Sequence, residues 1–470
     1  MFNNEIMDKY LNKLKEYSEI SIFLAYNANV DSIKYITNEK SILELLNGLD
    51  IKTIIKKLEE YPRVIETPED FLGRLLFSMK TGKPSEVPMK EDENLEKWFQ
   101  KIKYDEERIG GQAGIVANLL SLLGLKSIIV YTPLLSKKQS EMFVDKENIL
   151  YPKVENNEIF LKKIRDAYYE NHPTKINRIF EYKKDISINL GDEVITTPNN
   201  NRFIVSSRPD ALRFEIPQTL KDKLPYIGSL IDCAFLSGYQ GIKKKYKDGK
   251  NAEYYFNSCR EDIKYLKEGN ENLKVHLEFA SIQDYDIRKM ILDYIVPNVD
   301  CVGMDETEIS NILHTLGHDS LSQSIIKNSK IEDVVEGSTI LMENFNLDYV
   351  QIHTMYYIMF LCKKDNPLTK NTLEDILDLS TIMASTKAKK GTIKSIEDIK
   401  YGITVPYNKY GNLLQSIVED LCNSYENYKI AIKPSRLVDN PVSTVGLGDT
   451  ISSVAFVGYV NELKKYNYGK

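Results

Sequence analysis

Eight residues near the C-terminus, Ser443-Thr444-Val445-Gly446-Leu447-Gly448-Asp449-Thr450, have the types and spacing that chemistry on an anion needs. Beyond Asp449, the residues Ile451, Val454, Ala455 and Gly458 fall at i, i+3, i+4 and i+7, the spacing of a buried helix face, and this run ends near Leu463. The glycines therefore form a turn into a helix, and Asp449 stands in its first turn. Glycine lets the backbone approach a ligand closely, and the N–H groups of a helix start favour an anion. An aspartate beside them repels phosphate but suits a base that takes a proton from an attacking hydroxyl. A glycine turn with Asp449 as a helix cap accounts for the same residues without chemistry. With 23 glycines in 470 residues, about one Gly-x-Gly arises by chance, so the spacing alone decides nothing.

Further segments place acids, rings and amides at the ends of apolar runs. In Lys274-Val275-His276-Leu277-Glu278-Phe279-Ala280, His276 and Glu278 share one strand face and the apolar residues the other. A central parallel strand is buried on both faces, so His276 and Glu278 need partners: each other, a metal or water. Cys301-Val302-Gly303-Met304 runs into Asp305-Glu306-Thr307-Glu308. Asp305 and Glu308 have capping-box spacing. Three acids at a strand end also suit Mg²⁺, which keeps several waters and takes few direct carboxylates. Gln351-Ile352-His353-Thr354-Met355-Tyr356-Tyr357 places a histidine and two tyrosines where they flank a flat ring or join a core cluster, in a chain with 30 tyrosines. Asn27-Ala28-Asn29-Val30-Asp31 and Gly110-Gly111-Gln112-Ala113-Gly114 offer short polar side chains and bare amides that suit sugar hydroxyls, although either is also an ordinary turn.

These groups meet only if strand ends share one edge. Apolar strands expected at 20–26, 127–131, 231–236, 275–279, 301–304 and 349–353 alternate with helical stretches such as 115–124 and 309–317. That rhythm argues an α/β fold with a mostly parallel sheet, whose ligands bind beyond the carboxyl ends of the strands. Residues 32–108 are charge-rich and residues 161–221 basic, and both interrupt the rhythm, so together they are expected to form a smaller domain inserted into the larger. Apolar residues make up 42% and charged residues 28%, which excludes a long disordered or collagen-like chain. The formal charge of −6 gives no global attraction to nucleic acid or anionic lipid. No apolar run reaches the ~18 residues of a membrane helix. The polar start MFNNEIMDKY does not read as a signal peptide. Five widely spaced cysteines without Cys-x-x-Cys read as buried thiols in a reducing cytoplasm. His314 and His318 read as surface residues.

In their order the motifs NANVD, GGQAG, NRFI, HLEFA, GMDETE, IHTMYY and VSTVGLGDT, spread over nearly the whole chain, resemble the archaeal ADP-dependent sugar kinases, the glucokinase/phosphofructokinase group of the ribokinase-like superfamily. The resemblance implies a large αβα sandwich that carries the nucleotide and a smaller β-rich lid closing over the sugar. The large domain would take 1–31, 109–160 and 222–470, and the lid 32–108 and 161–221. It implies Asp449 as catalytic base, with the Gly446 and Gly448 amides and Arg202 stabilising the transferring phosphoryl. Glu278, Glu308 and Asp305 would hold Mg²⁺ or another divalent cation, with Asp305 adding a charge where the family has Asn. His353, Tyr357, Val445 and Gly448 would contact the nucleotide, and Asn29, Asp31, Gly111 and Gln112 the sugar. Lys175 would take the phosphate of fructose 6-phosphate, and Glu86 would accept glucose hydroxyls. The expected function is an ADP-dependent phosphofructokinase of glycolysis that yields AMP, with glucokinase activity beside it or, alternatively, in its place. It is expected to be a cytoplasmic monomer without nucleic-acid or membrane partners. A silent nucleotide or sugar sensor on the same fold is the alternative of another class. A dinucleotide oxidoreductase ranks last, since the one Gly-x-Gly lacks the third glycine.

Overall fold

A computed structural model describes residues 4–191 and 193–468. In chain order its strands are β1 (Ser21–Ala25), β2 (Asn29–Ile36), β3 (Ser85–Pro88), β4 (Glu106–Gly110), β5 (Ser127–Val130) and β6 (Ile149–Glu155). There follow β7 (Glu158–Lys163), β8 (Ile176–Tyr182), β9 (Ser187–Asn189), β10 (Val194–Thr196), β11 (Asn201–Ser206) and β12 (Cys233–Leu236). The last are β13 (Lys274–Glu278), β14 (Cys301–Met304), β15 (Tyr349–His353), β16 (Tyr357–Lys363) and β17 (Tyr428–Pro434). A ten-stranded sheet has the order β17-β16-β15-β14-β13-β12-β1-β5-β6-β7. Its pairs from β15 to β6 are parallel, and β16, β17 and β7 add antiparallel edges. All residues of β1, β12 and β14 are buried, as expected where helices cover both faces of a parallel sheet. The six expected strands are β1, β5, β12, β13, β14 and β15, each within two residues of its expected bounds.

Strand order turns that sheet into a site. From β1 the chain builds outward to β5 and β6 on one side, and later from β12 to β15 on the other. The reversal between β1 and β12 opens a crevice beyond the carboxyl ends of the strands. Asn27 after β1, Glu278 ending β13, Asp305 after β14 and His353 ending β15 all stand at those ends.

A five-stranded sheet, β3-β11-β8-β2-β4, forms the second body. It shares a core with the helices Glu39–Leu46, Ile51–Glu60, Pro68–Thr81 and Glu93–Gln100. Strand alternation splits its side chains between two faces. Phe180, Tyr182, Phe203 and Val205 enter that core, while Asn177, Ile179, Arg202 and Ile204 line the cleft. The chain crosses between the two sheets after β1, after β4, between β7 and β8, and after β11.

The strands of the small sheet differ in extent from the insert expected at 32–108 and 161–221. β2 starts at Asn29 and β4 ends at Gly110, whereas β8 to β11 occupy only 176–206. On either side of them, Ile164, Ala167, Leu212, Phe214, Ile216 and Leu220 are buried in the large core, and β7 closes the edge of the large sheet. These apolar residues are isolated in a basic stretch, so periodicity does not reveal them. Helix starts also move: Gln112–Leu122 begins directly after Gly111, whose φ of +74° makes the turn, and Glu306–Thr315 begins after its cap Asp305. The C-terminal helix, Leu447–Tyr468, outruns its apolar stripe, and Lys464 anchors the extension on Asp232 at 2.8 Å. No helix among the described residues is long and apolar enough to cross a membrane.

Candidate active site

A cavity of about 750 Å³ lies between the sheets. It brings together Asn29, Asp31, Glu86, Gly111, Gln112 and Arg202 from one side with Glu278, Asp305, Glu308, His353, Val445, Gly446, Gly448 and Asp449 from the other. Sequence positions more than 400 residues apart thus meet at one crevice. Of the residues expected there, Lys175 and Tyr357 lie elsewhere. Lys175 lines a cavity of about 980 Å³ that opens off the same cleft at Asn27, Glu86, Asn177 and Gln240. Tyr357 starts β16 and is 3% exposed, because the turn at Thr354 and Met355 reverses the chain and leads Tyr357 back into the sheet. Thr354 and Met355 line the cavity in its place.

The glycine turn is built as its residue types require. Gly446 has φ +69°, a conformation that L side chains avoid. At Gly448 a Cβ would stand 2.7 Å from His353 Nε2, so a side chain there would collide with the ring at the end of β15. The helix starts at Leu447, which leaves its first N–H groups without partners inside the helix, facing the cavity. Asp449 is the third helical residue and not the cap. Burial raises its carboxyl to about 6, against the opposing pull of Lys387.

The acids at the ends of β13 and β14 have structural partners as well as free lone pairs. Asp305 Oδ1 accepts the Glu308 N–H at 2.8 Å and Glu308 Oε2 accepts the Asp305 N–H at 2.9 Å, a complete capping box. Glu278 pairs with His276 through Oε2 at 3.0 Å and accepts the Ser452 hydroxyl on Oε1 at 2.9 Å. Burial lowers His276 to about 3, so its ring is neutral, with Nε2 paired to Glu278 and Nδ1 to the Tyr349 hydroxyl at 3.1 Å. Burial, then Asp449 and Glu308, raise Glu278 well above the carboxylate range. Burial, then Asp305, push Glu308 up to about 8. Buried like charges in one pocket favour a counter-charge among them. Among the described residues no three His, Cys, Asp or Glu side chains converge closely enough to grip a bare ion.

At the other end the groups match a polyhydroxylated ligand. Asn29 Nδ2 donates to Asp31 Oδ1 at 2.7 Å, and Gln112 Nε2 donates to the Phe279 carbonyl at 3.1 Å. Each amide thereby turns its oxygen elsewhere. Asn29 Oδ1, Gln112 Oε1 and Asn177 Oδ1 are buried without a hydrogen-bond partner, and all three residues line the cavity. Buried acceptors are rarely left unpaired, so these three call for donors from a bound molecule. Burial raises Asp31 to about 6 against the pull of Arg108.

Two arginines of the small sheet reach the glycine loop. Arg202 Nη1 donates to Thr444 Oγ1 at 2.8 Å and Arg108 Nη2 to Ser443 Oγ at 3.3 Å. The side cavity is cationic, with Lys175, Arg208, Lys243, Arg63 and Arg74 around Glu86. Lys175 donates to Asn27 Oδ1 at 2.5 Å, and burial lowers its amine to about 8, with Arg208 repelling it further. Sequence reasoning passed over Asn177, Arg108, Arg208 and Lys387. Asn177 was readable, since it shares a strand face with Ile179; the other three sit among charges that look solvated.

The family described as "ADP-specific Phosphofructokinase/Glucokinase conserved region" matches residues 20–458. An ADP-specific phosphofructokinase of Thermococcus litoralis is 48% identical over 456 residues, 96% of this chain and 99% of that protein. An ADP-dependent glucose/glucosamine kinase of Pyrococcus abyssi is 30% identical, covering 96% of this chain and 97% of that protein. Among solved structures, a hypothetical ADP-dependent phosphofructokinase from Pyrococcus horikoshii superposes with a TM-score of 0.86 at 43% identity, over 95% of this chain and 99% of that one. An ADP-dependent kinase in complex with fructose 6-phosphate and ADPβS superposes with a TM-score of 0.84 at 37% identity, over 98% of each chain.

Proposed function

The chain belongs to the ADP-specific phosphofructokinase/glucokinase family, and we propose that it transfers the β-phosphoryl of ADP to fructose 6-phosphate, giving fructose 1,6-bisphosphate and AMP. The observation that carries the sugar-phosphate reading is the cationic side cavity, which opens beside the orphan acceptors Asn29, Gln112 and Asn177. A sugar held by those acceptors would direct its phosphate towards Lys175 and Arg208 and its hydroxyl towards Asp449.

In this reading Asp449 takes the proton of the attacking hydroxyl. The amides around Gly446 and Gly448, together with Arg202, stabilise charge on the phosphoryl oxygens. His353 and Val445 contact the nucleotide, and Thr354 and Met355 join them. Asp31 and Gly111 help orient the sugar. A divalent cation fits the acidic set: Glu278, Glu308 and Asp305 retain lone pairs but do not converge, which suits holding a hydrated ion through water. When bound, it would neutralise diphosphate charge. The small sheet acts as a lid that excludes water, a competing acceptor. Buried free thiols at Cys233, Cys259, Cys301 and Cys362 suit a reducing cytoplasm.

Glucose is a second acceptor in this proposal, because Glu86 lines both cavities and can accept sugar hydroxyls. A coupled assay of AMP formation decides the matter, with ADP or ATP as donor and fructose 6-phosphate or glucose as acceptor. We expect turnover with ADP and fructose 6-phosphate, slower turnover with glucose, and little with ATP. Binding of both ligands without AMP formation would instead make the protein a sensor.

A further inference from the structure

One half-buried cation stands behind the glycine turn and has no part in the reaction described so far. Lys387 lies near the end of the Lys370–Lys390 helix, which packs along the Leu447–Tyr468 helix. Its Nζ donates to the Gly446 carbonyl at 3.0 Å and to Thr450 Oγ1 at 3.4 Å. The same carbonyl accepts the Thr450 hydroxyl at 2.8 Å and the Thr450 N–H at 3.1 Å. A Cβ on Gly446 would stand 2.7 Å from this Nζ, so the ammonium fills the space next to the left-handed turn. Lys387 does not line the substrate cavity. It lines a separate cavity of about 420 Å³ on the far side of the turn, walled by Ile115, Leu119, Leu122, Met142, Val144 and Ile393.

We propose that Lys387 is a positioning residue for phosphoryl transfer: by holding the Gly446 carbonyl from behind, its ammonium keeps the Gly446–Gly448 amides and the Asp449 carboxylate aimed at the reacting groups. The proposal rests on the kinase reading above. It follows from geometry, since the carbonyl on one side of a peptide turn and the amides on the other move together. Charge adds to it. Burial pushes the Lys387 amine down to about 8, Asp449 holds it up, and Lys387 in turn favours the ionised base. Other charges here are Glu278 and Glu308, which face Asp449 from β13 and the Glu306–Thr315 helix, Arg108 and Asp31, which face Lys387 from the small sheet, and Glu107 and Glu141, which line the far cavity with Lys387.

The test measures AMP formation by the full chain with ADP, Mg²⁺ and fructose 6-phosphate. For Lys387→Met the expected result is a loss of about 10²-fold in kcat. The KM for fructose 6-phosphate should stay within about threefold, as for a group that acts in the transition state. The acid limb of kcat/KM should move to higher pH as Asp449 loses its cation. In Lys387→Ala, propylammonium admitted through the far cavity should restore turnover saturably, while tetramethylammonium, which has no N–H, should not. Lys387→Gln keeps N–H donors without charge on a side chain one bond shorter, and replaces the methionine variant if that one fails to fold. A kcat within about twofold of the parent in either folded variant overturns the proposal. So does a loss with an unmoved pH limb and no amine rescue, which would make Lys387 a packing residue only. A parent protein that forms no AMP would overturn the kinase reading; an active parent with an unimpaired variant would overturn the Lys387 role alone.

Discussion

At the scale of residues, the site separates groups that react from groups that hold. Asp449 is half-buried, its carboxyl is lifted to about 6 by desolvation, and Lys387 opposes that rise. A base must be deprotonated, so kcat/KM should be full above that value and fall as pH drops through it. Asp449→Ala should lower turnover by about 10²–10⁴-fold, the usual weight of a general base. ADP affinity by calorimetry should change little; unchanged turnover would remove the base assignment. At the sugar end, Arg208→Ala should raise the KM for fructose 6-phosphate by about tenfold or more, the loss of one charged contact to a phosphate, while glucose use is spared. Glu86→Ala should have the opposite selectivity, weakening glucose more than fructose 6-phosphate. Equal losses on both sugars would count against both assignments. Asp449, Glu278 and Asn29 were legible in the sequence because each follows a recognisable apolar run or glycine turn. Lys387 and Arg208 were not: Lys387 belongs to Lys387-Ala388-Lys389-Lys390, a run indistinguishable from a solvated helix end until the fold turns its first member towards the Gly446 carbonyl. Tyr357 was readable as an aromatic at a strand end, but its side of the turn is a tertiary fact.

At the scale of elements, function depends on where strands stop and helices start. β13 delivers Glu278, β14 delivers Asp305 and Glu308, and β15 delivers His353, all at the carboxyl edge beside the strand-order reversal. The alternating pattern of Lys274–Phe279 made that strand plain, because a helix would scatter His276 and Glu278 onto different faces. The small sheet was harder to bound, since its five strands come from two separated stretches, 29–110 and 176–206, and its pairing is set by contacts between them. The glycine turn is the element most exposed to a single change. Gly446→Ala places a methyl group at φ +69° and 2.7 Å from the Lys387 amine. The left-handed φ strains the alanine, and the methyl group displaces the Lys387 amine from the Gly446 carbonyl, so the turn and the amides proposed to stabilise the phosphoryl group lose their support. We expect kcat to fall by about 10²-fold or more. Thermal unfolding should shift by only a few degrees, the ~1–3 kcal/mol of one strained residue spread over a large chain. A variant that unfolds before it loses activity would show the turn to be structural first.

At the scale of the molecule, the two sheets meet across the cleft through a few polar contacts. Arg202 reaches Thr444 and Arg108 reaches Ser443, so the small sheet touches the glycine loop to which the proposed mechanism assigns the phosphoryl group. Four chain crossings tether the bodies, and each lies next to a cavity-lining residue: Asn27 and Asn29 after β1, Gly111 and Gln112 after β4, Lys175 before β8 and Arg208 after β11. Ligand binding and relative motion of the sheets are therefore mechanically linked. A sugar bonded to the orphan acceptors pulls on β2 and β8, while a nucleotide on the glycine loop gives the two arginines an anion to approach. Each ligand alone engages one side of that linkage; both together should close it. Small-angle X-ray scattering should then show a lower radius of gyration with a non-transferring ADP analogue and fructose 6-phosphate than with either alone. In Arg202→Ala the doubly liganded protein should remain closer to the ligand-free radius. Its ratio of ADP hydrolysis to sugar phosphorylation should also rise, because a cleft that closes less fully admits water as acceptor. An unchanged radius in the parent with both ligands bound would mean that the arginine contacts are permanent, and that water is excluded by the fixed walls of the cleft.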